Sequence, residues 1–175
     1  MHLPDPILSG NRRDFTIDSL ALAVPETHLA RGERELLGLV LPPWQRPEVW
    51  SAEQKVRFIE GIFLGFGTGY YVTNGFDWGH DAKRAPMSGW VLDGQQRISA
   101  IRDFITDKLP IFNGVVYSSI DIATKRRRFL REPFPRIELN YTTDEDTLRL
   151  LYDRLNFAGT AHTDDQRASN AEFAF

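Results

Sequence analysis

The residues best equipped for chemistry form one short run, Asp93-Gly94-Gln95-Gln96-Arg97, directly after the apolar Trp90-Val91-Leu92. The triplet reads as a buried strand, and Ile98, Ile101 and Ile105 follow at helical spacing. A strand that passes through a glycine straight into a helix leaves the helix's first N–H groups unpaired, with the positive end of its dipole beside them. Such an end favours an anion, phosphate above all. Gly94 removes a side chain where a ligand would approach. Arg97, in the first turn, offers a planar fork of donors to phosphate oxygens, and Gln95 and Gln96 add neutral donors and acceptors. The same run also reads as plain capping, with Asp93 as N-cap and Gln96 completing a capping box three residues later.

Two further segments carry suitable side chains. Pro42-Pro43-Trp44-Gln45-Arg46-Pro47-Glu48-Val49-Trp50 sets two tryptophans and an arginine in a proline-stiffened loop. An indole can stack on a base and Arg46 can reach a phosphate. Trp50 reads more readily as core, which leaves Trp44 as the base-stacking candidate. Asp153 to Thr163 ends a helix in a loop of small residues, where either Asn156 or Gly159 closes the helix, or Asn156, Thr160 and backbone amides line a ligand site. If phosphate is hydrolysed or transferred, Arg46 and Arg97 neutralise its charge, Asp93 holds Mg²⁺ or orients a nucleophile, and Gln95 or Gln96 positions water. Asp93, Gln96 and Arg97 are then the catalytic set. Glu48 and Glu60 are further carboxylates that the sequence alone does not place.

The elements that must position these groups follow from periodicity. Ser51 and Gln54 have capping-box spacing, and Val56, Ile59, Phe63 and Phe66 make an apolar helical stripe ended by Gly65, Gly67 and Gly69. Tyr70–Thr73, Trp90–Leu92, Ile111–Tyr117 and Arg136–Tyr141 have strand composition. Helices are expected near 119–130 and 143–155, the latter with Leu148, Leu151 and Leu155 on one side and a Thr142–Glu145 capping box. Residues 1–13 read as a loose N-terminal arm, and 14–175 as a single domain. Strand and helix alternate from residue 50 onward, so the class is α/β or mixed α+β.

Composition narrows the classes of function. With no cysteine there is no disulfide framework and no thiolate metal site. His2, His28, His80 and His162 form no ligand pattern, and Asp77, His80 and Asp81 read as a surface loop. No apolar stretch approaches the roughly 20 residues of a membrane span, and Met1–Arg13 lacks a signal-peptide core, so a cytoplasmic protein is expected. A net charge of −3 argues against a domain coated in positive charge for DNA. The one basic cluster, Lys125-Arg126-Arg127-Arg128, reads as a solvated helix face or a nucleic-acid contact.

The order of these segments resembles the DGQQR family of ParB/sulfiredoxin-like domains, best known at the N-terminus of GmrSD-type modification-dependent restriction enzymes. That family shows a PxxQR…W segment, a helix, a glycine-containing turn, a strand, DGQQR opening a helix, and later an Arg-x-Asn-x-Gly-Gly-Thr-like loop. Here Pro42 to Trp50, the glycines at 65–69, Asp93 to Arg97 and Arg154 to Thr163 follow in that order, within residues 39–163. The resemblance implies a ParB-like small sheet flanked by helices, which binds and often hydrolyses a nucleoside triphosphate (NTP). It places the site on Arg46, Asp93, Gln95, Gln96 and Arg97, with Asn156 and Thr160 from the later loop. The family's double glycine is Ala158-Gly159 here, a departure that bears on how closely a phosphate approaches.

The expected function is therefore an NTP-dependent phosphohydrolase or phosphotransferase in DNA modification, defence or a phage-related process, with Mg²⁺ as its metal. The alternatives are a nucleotide-sensing module without turnover, and a DNA-binding protein or nuclease. The family's restriction members carry an HNH-type nuclease domain further on; the 175 residues end at Phe175, so nuclease activity relying on that domain is not expected of them. Nucleotide, DNA, a second copy or a partner protein are the expected partners, and a membrane is not.

Overall fold

Adjacent residues on the central strands point to opposite sides, as the twofold repeat of a strand requires. On β4 (Tyr71–Thr73), Tyr71 enters one apolar cluster and Val72 the other, and on β5 (Val91–Asp93) Val91 and Leu92 divide in the same way. A sheet covered on both faces explains why apolar side chains stand next to one another on both strands instead of alternating with polar ones. The structure is a computed structural model that describes residues 9–157. Its main sheet has the order β1 (Gly10–Arg13), β6 (Arg136–Leu139), β4, β5. β1 runs antiparallel to β6, β6 parallel to β4, and β4 antiparallel to β5. A hairpin of β2 (Arg34–Leu36) and β3 (Leu39–Leu41) touches it through a bridge from Val40 to Trp90.

Helices cover the two faces. α2 (Ala52–Phe63) and α3 (Gln95–Ile105) place Ile59, Ile62, Phe63, Ile98, Ile101 and Phe104 against Tyr71 and Val91. α5 (Glu145–Phe157) packs Leu148 and Leu151 against Val72 and Leu92 on the other face. Two short helices, α1 (Asp18–Ala21) and α4 (Ile122–Lys125), complete the described residues, and α4 continues as a π-turn through Leu130. The class is the mixed α/β one expected, a small sheet flanked by helices. No helix among the described residues is long and apolar enough to cross a membrane.

Local expectations fare unevenly. The Ser51–Gln54 capping box forms in both directions. The stripe of α2 stops at Phe63, however, because the chain turns at Gly65 (φ +85°), and Phe66 is 77% exposed. Ile111–Tyr117 is not a strand. Phe112, Asn113 and Gly114 all adopt positive φ and close a tight turn between Ile111 and Val115, with a 3₁₀ turn at Tyr117–Ser119 after it. Asp144, not Thr142, holds the start of α5, accepting from the Thr147 amide at 3.1 Å. The arm expected over residues 1–13 is tethered over its last four, where β1 hydrogen-bonds along β6 as an edge strand.

The junction of β5 and α3 is tightly constrained. Gly94 is the N-cap, at φ +103°, and a Cβ built there would lie 2.4 Å from the Tyr71 Cβ. It is glycine because of backbone conformation and the Tyr71 side chain; the missing Cβ faces the core and not a ligand, contrary to the reading above. Beside it, the β4–β5 register shifts between Val72 and Thr73, a bulge of the kind that re-aims a strand end. Gly94→Ala is expected to cost about 2 kcal/mol or more, from strain plus overpacking. Urea unfolding checks this, and an unchanged midpoint would contradict the packing described.

Candidate functional site

The chain leaves β5 and enters α3 with no side chain capping the helix. The expected Asp93–Gln96 capping box is absent because both side chains are engaged elsewhere. Asp93 belongs to β5 and its Oδ2 accepts from the Arg97 Nη2 at 2.6 Å; the same nitrogen donates to the Tyr70 carbonyl at 2.8 Å. Gln96 Oε1 accepts from the amides of Val49 and Trp50, at 3.0 and 3.1 Å. The first-turn amides of α3 therefore remain available as donors, at the positive end of an eleven-residue helix.

The residues of this first turn line a cleft of about 200 Å³, together with Gln45, Arg46, Trp50, Asp93, Gly94, Leu155 and Asn156. Segments far apart in the chain thus converge as expected: Arg46 from the proline loop, the whole Asp93–Arg97 run, and Asn156 from α5. The Asn156 amide donates to the carbonyls of Leu92 (3.1 Å) and Tyr152 (2.9 Å), which fixes the end of α5 to β5. Thr160 lies outside the described residues. Trp44 does not line the cleft. Its ring meets Trp90 and Tyr152 edge-on at 5.9 and 5.2 Å, and the Arg149 guanidinium sits 5.0 Å from the ring centre. Trp50 is the cleft's tryptophan, half-buried and packed against Phe58 at 5.6 Å.

Gln45 and Leu155 line the cleft although the sequence reading gave neither a role there. Gln45 is buried, its Nε2 donates to Gln95 Oε1 at 3.1 Å, and Arg34 holds its carbonyl at 2.7 Å. A signal for it existed: Gln45-Arg46 repeats the Gln-Arg step of Gln96-Arg97. Leu155 is simply the last of the α5 leucines and had no chemical signal.

The proline loop is fastened to the helices by four alternating charges. Lys55 Nζ lies 2.8 Å from Glu48 and 2.5 Å from Asp103, while Arg102 bonds both carboxylates, at 3.0 Å and 2.7 Å. With the Lys55 side chain only 10% exposed, an unbalanced charge there would be costly. Glu48 is thereby assigned to holding the loop, and Glu60 likewise bonds away from the cleft, to the Phe112 amide at 2.7 Å.

The basic cluster sits apart from this cleft. Arg128 donates to the carbonyl of Phe63, the last residue of α2, whereas Trp50 precedes the first turn of that helix. Twelve residues of helix separate the two points, about 18 Å along the axis. Lys125 lies over the Tyr117 ring at 4.5 Å, and Arg126 and Arg127 are exposed. Among the described residues no group of three or more His, Cys, Asp or Glu side chains is placed to hold a metal, so Asp77, His80 and Asp81 form no such cluster. A smaller cavity of about 80 Å³ between Glu26, Trp78 and Arg84 contains none of the residues singled out above.

The family model described as GmrSD restriction endonuclease, N-terminal domain, matches residues 27–134, well over half of the 175. The span takes in the proline loop and the β5–α3 junction and ends before α5. No curated protein and no solved structure matches.

The charge network makes stability depend on acid. Burial alone would raise the Glu48 carboxyl, but hydrogen bonds and charges from Lys55 and Arg102 outweigh it and hold it at about 2, below the ordinary 4.5. A carboxyl depressed on folding contributes stability above its unfolded value, and that contribution fades as the pH falls from about 4.5 towards 2. Glu48→Gln is expected to lower stability at pH 7 and to flatten this acid dependence. Urea titrations at pH 7 and pH 3 check it; parallel losses in both proteins would contradict it.

Proposed function

The chain belongs to the GmrSD restriction endonuclease N-terminal domain family, and on that premise we propose that its cleft binds a nucleoside triphosphate, phosphates against the start of α3. The observation that carries the reading is an uncapped helix N-terminus opening on a cleft that Arg46 and Arg97 line. Backbone amides, helix dipole and guanidinium groups all attract the same anionic oxygens. Size agrees: about 200 Å³ is below the range of about 300–1,000 Å³ for pockets enclosing whole ligands. It suits the charged end of a nucleotide and part of its nucleoside.

Turnover makes stricter demands. Mg²⁺ is commonly held by one or two carboxylates together with substrate phosphates, and Asp93 is the carboxylate lining the cleft. Asp93 would then be the protein ligand of a Mg²⁺ bound together with the triphosphate, and Arg97 would face a phosphate. The metal would screen charge on the phosphates. Gln96 has its oxygen held by two backbone donors, so its NH₂ is the end left to donate to a phosphoryl oxygen. That contact would stabilise charge on the phosphate. Hydrolysis coupled to restriction of DNA is the setting this family suggests.

A thermal-shift series with ATP, GTP, CTP and UTP and Mg²⁺ tests binding. A ligand at 100 times its Kd stabilises by about 2.7 kcal/mol. We expect a clear shift with at least one triphosphate and its loss in Arg46→Ala and Arg97→Ala. Equal shifts in the wild type and both variants would overturn the reading. Asp93→Asn should keep binding without Mg²⁺ and lose phosphate release, which assigns turnover separately.

A further inference from the structure

Three carboxamides in the wall of the cleft are incompletely satisfied. Gln45, Gln95 and Gln96 are 5%, 3% and 8% exposed, yet Gln45 Oε1, Gln95 Nε2 and Gln96 Nε2 have no partner among the described residues. The orientation of Gln96 is fixed, because two backbone N–H groups require its oxygen; its spare atom is a donor. Gln45 and Gln95 satisfy only each other, through the single 3.1 Å bond between them. Turning both amides over exchanges donor and acceptor but leaves the same remainder, one NH₂ and one oxygen. Buried polar atoms without partners destabilise a fold and are ordinarily avoided.

A phosphate cannot complete this set. Its ionised oxygens accept hydrogen bonds, which suits the Gln96 NH₂, the arginines and the helix amides. They have no hydrogen to give to the spare oxygen of the Gln45–Gln95 pair. That oxygen calls for a donor and the neighbouring NH₂ for an acceptor. Resting on the nucleotide reading above, we infer that the Gln45–Gln95 pair is the specificity element of the cleft, receiving a nucleoside group that both donates and accepts. A ribose hydroxyl has this chemistry, and so does a base edge, which carboxamides read in the same two-handed way. Each orphan atom exposes less than 1 Å², so a small rotation of the two amides towards the cleft must accompany seating of the group, and water is excluded from them. Under that condition a ligand lacking the matching polar group is rejected most strongly.

Calorimetric titration of the full chain with an NTP, its 2′-deoxy analogue and inorganic tripolyphosphate tests the inference. The wild type should bind the NTP at least tenfold more tightly than tripolyphosphate. Gln45→Met, neutral and close in volume, should bring the two ligands within about threefold while tripolyphosphate binding is kept, and Gln95→Met should lose the same discrimination between them. Retained tripolyphosphate binding also reports a folded variant. A loss of affinity for the deoxy analogue assigns the ribose; an unchanged affinity with discrimination among bases assigns the base edge. If tripolyphosphate binds the wild type as tightly as the NTP, or both variants keep full discrimination, the inference is overturned and phosphate binding stands. If neither ligand binds, the nucleotide reading itself fails.

Discussion

A glycine with no room for a side chain governs this molecule. Gly94 must adopt φ +103°, and its missing Cβ is where Tyr71 packs. Strand therefore becomes helix within one residue, with none of the extended approach in which a Ser or Asp would cap the first turn. Two consequences follow from that abruptness. The leading amides of α3 stay unpaired, and the side chains of its first turn are thrown sideways onto neighbouring segments. Gln96 reaches the loop before α2, Gln95 reaches Gln45, and Arg97 reaches back to Asp93 and Tyr70. The cleft is what these contacts enclose.

Charge is distributed unequally around it. Beside the cleft, Lys55, Arg102, Glu48 and Asp103 balance one another, two against two, and hold the proline loop. Within the cleft, and among the described residues, Arg97 has one carboxylate partner and a buried Nε with no hydrogen-bond partner. Balanced charges serve stability there, while unspent donors and carboxamide atoms are retained at the cleft. A fold tolerates unspent polar groups where a ligand completes them, at some expense of stability without it.

Much of the fold could be read in advance because its signals are local. The capping box at Ser51, the isoleucines of α3 and the leucines of α5 each report one element through its own period. The convergence of Arg46, Asp93–Arg97 and Asn156 was also legible, through the order of motifs resembling a known family. What escaped depended on long-range partners. Whether Asp93 caps a helix or pairs with Arg97 is decided by Gly94 taking the cap. Whether Trp44 or Trp50 faces the cleft is decided by Trp90, Tyr152 and Arg149, up to 108 residues away, crowding the former. Gln45 was passed over because its one signal, the Gln-Arg step it shares with Gln96-Arg97, gains meaning only once Gln95 lies 3.1 Å from it. The 111–117 segment has strand composition, and only the Asn113-Gly114 step hinted at the turn that breaks it.

The central claim is that the free amides at the start of α3 hold the ligand's negative oxygens. Backbone ¹⁵N–¹H resonances observed while a nucleoside triphosphate is titrated in address those atoms themselves. The account predicts saturable shifts largest at the amides of Gln95, Gln96 and Arg97, together with the Arg46 and Arg97 side-chain signals. Saturable shifts centred elsewhere on the fold, with those three amides unmoved, would contradict it.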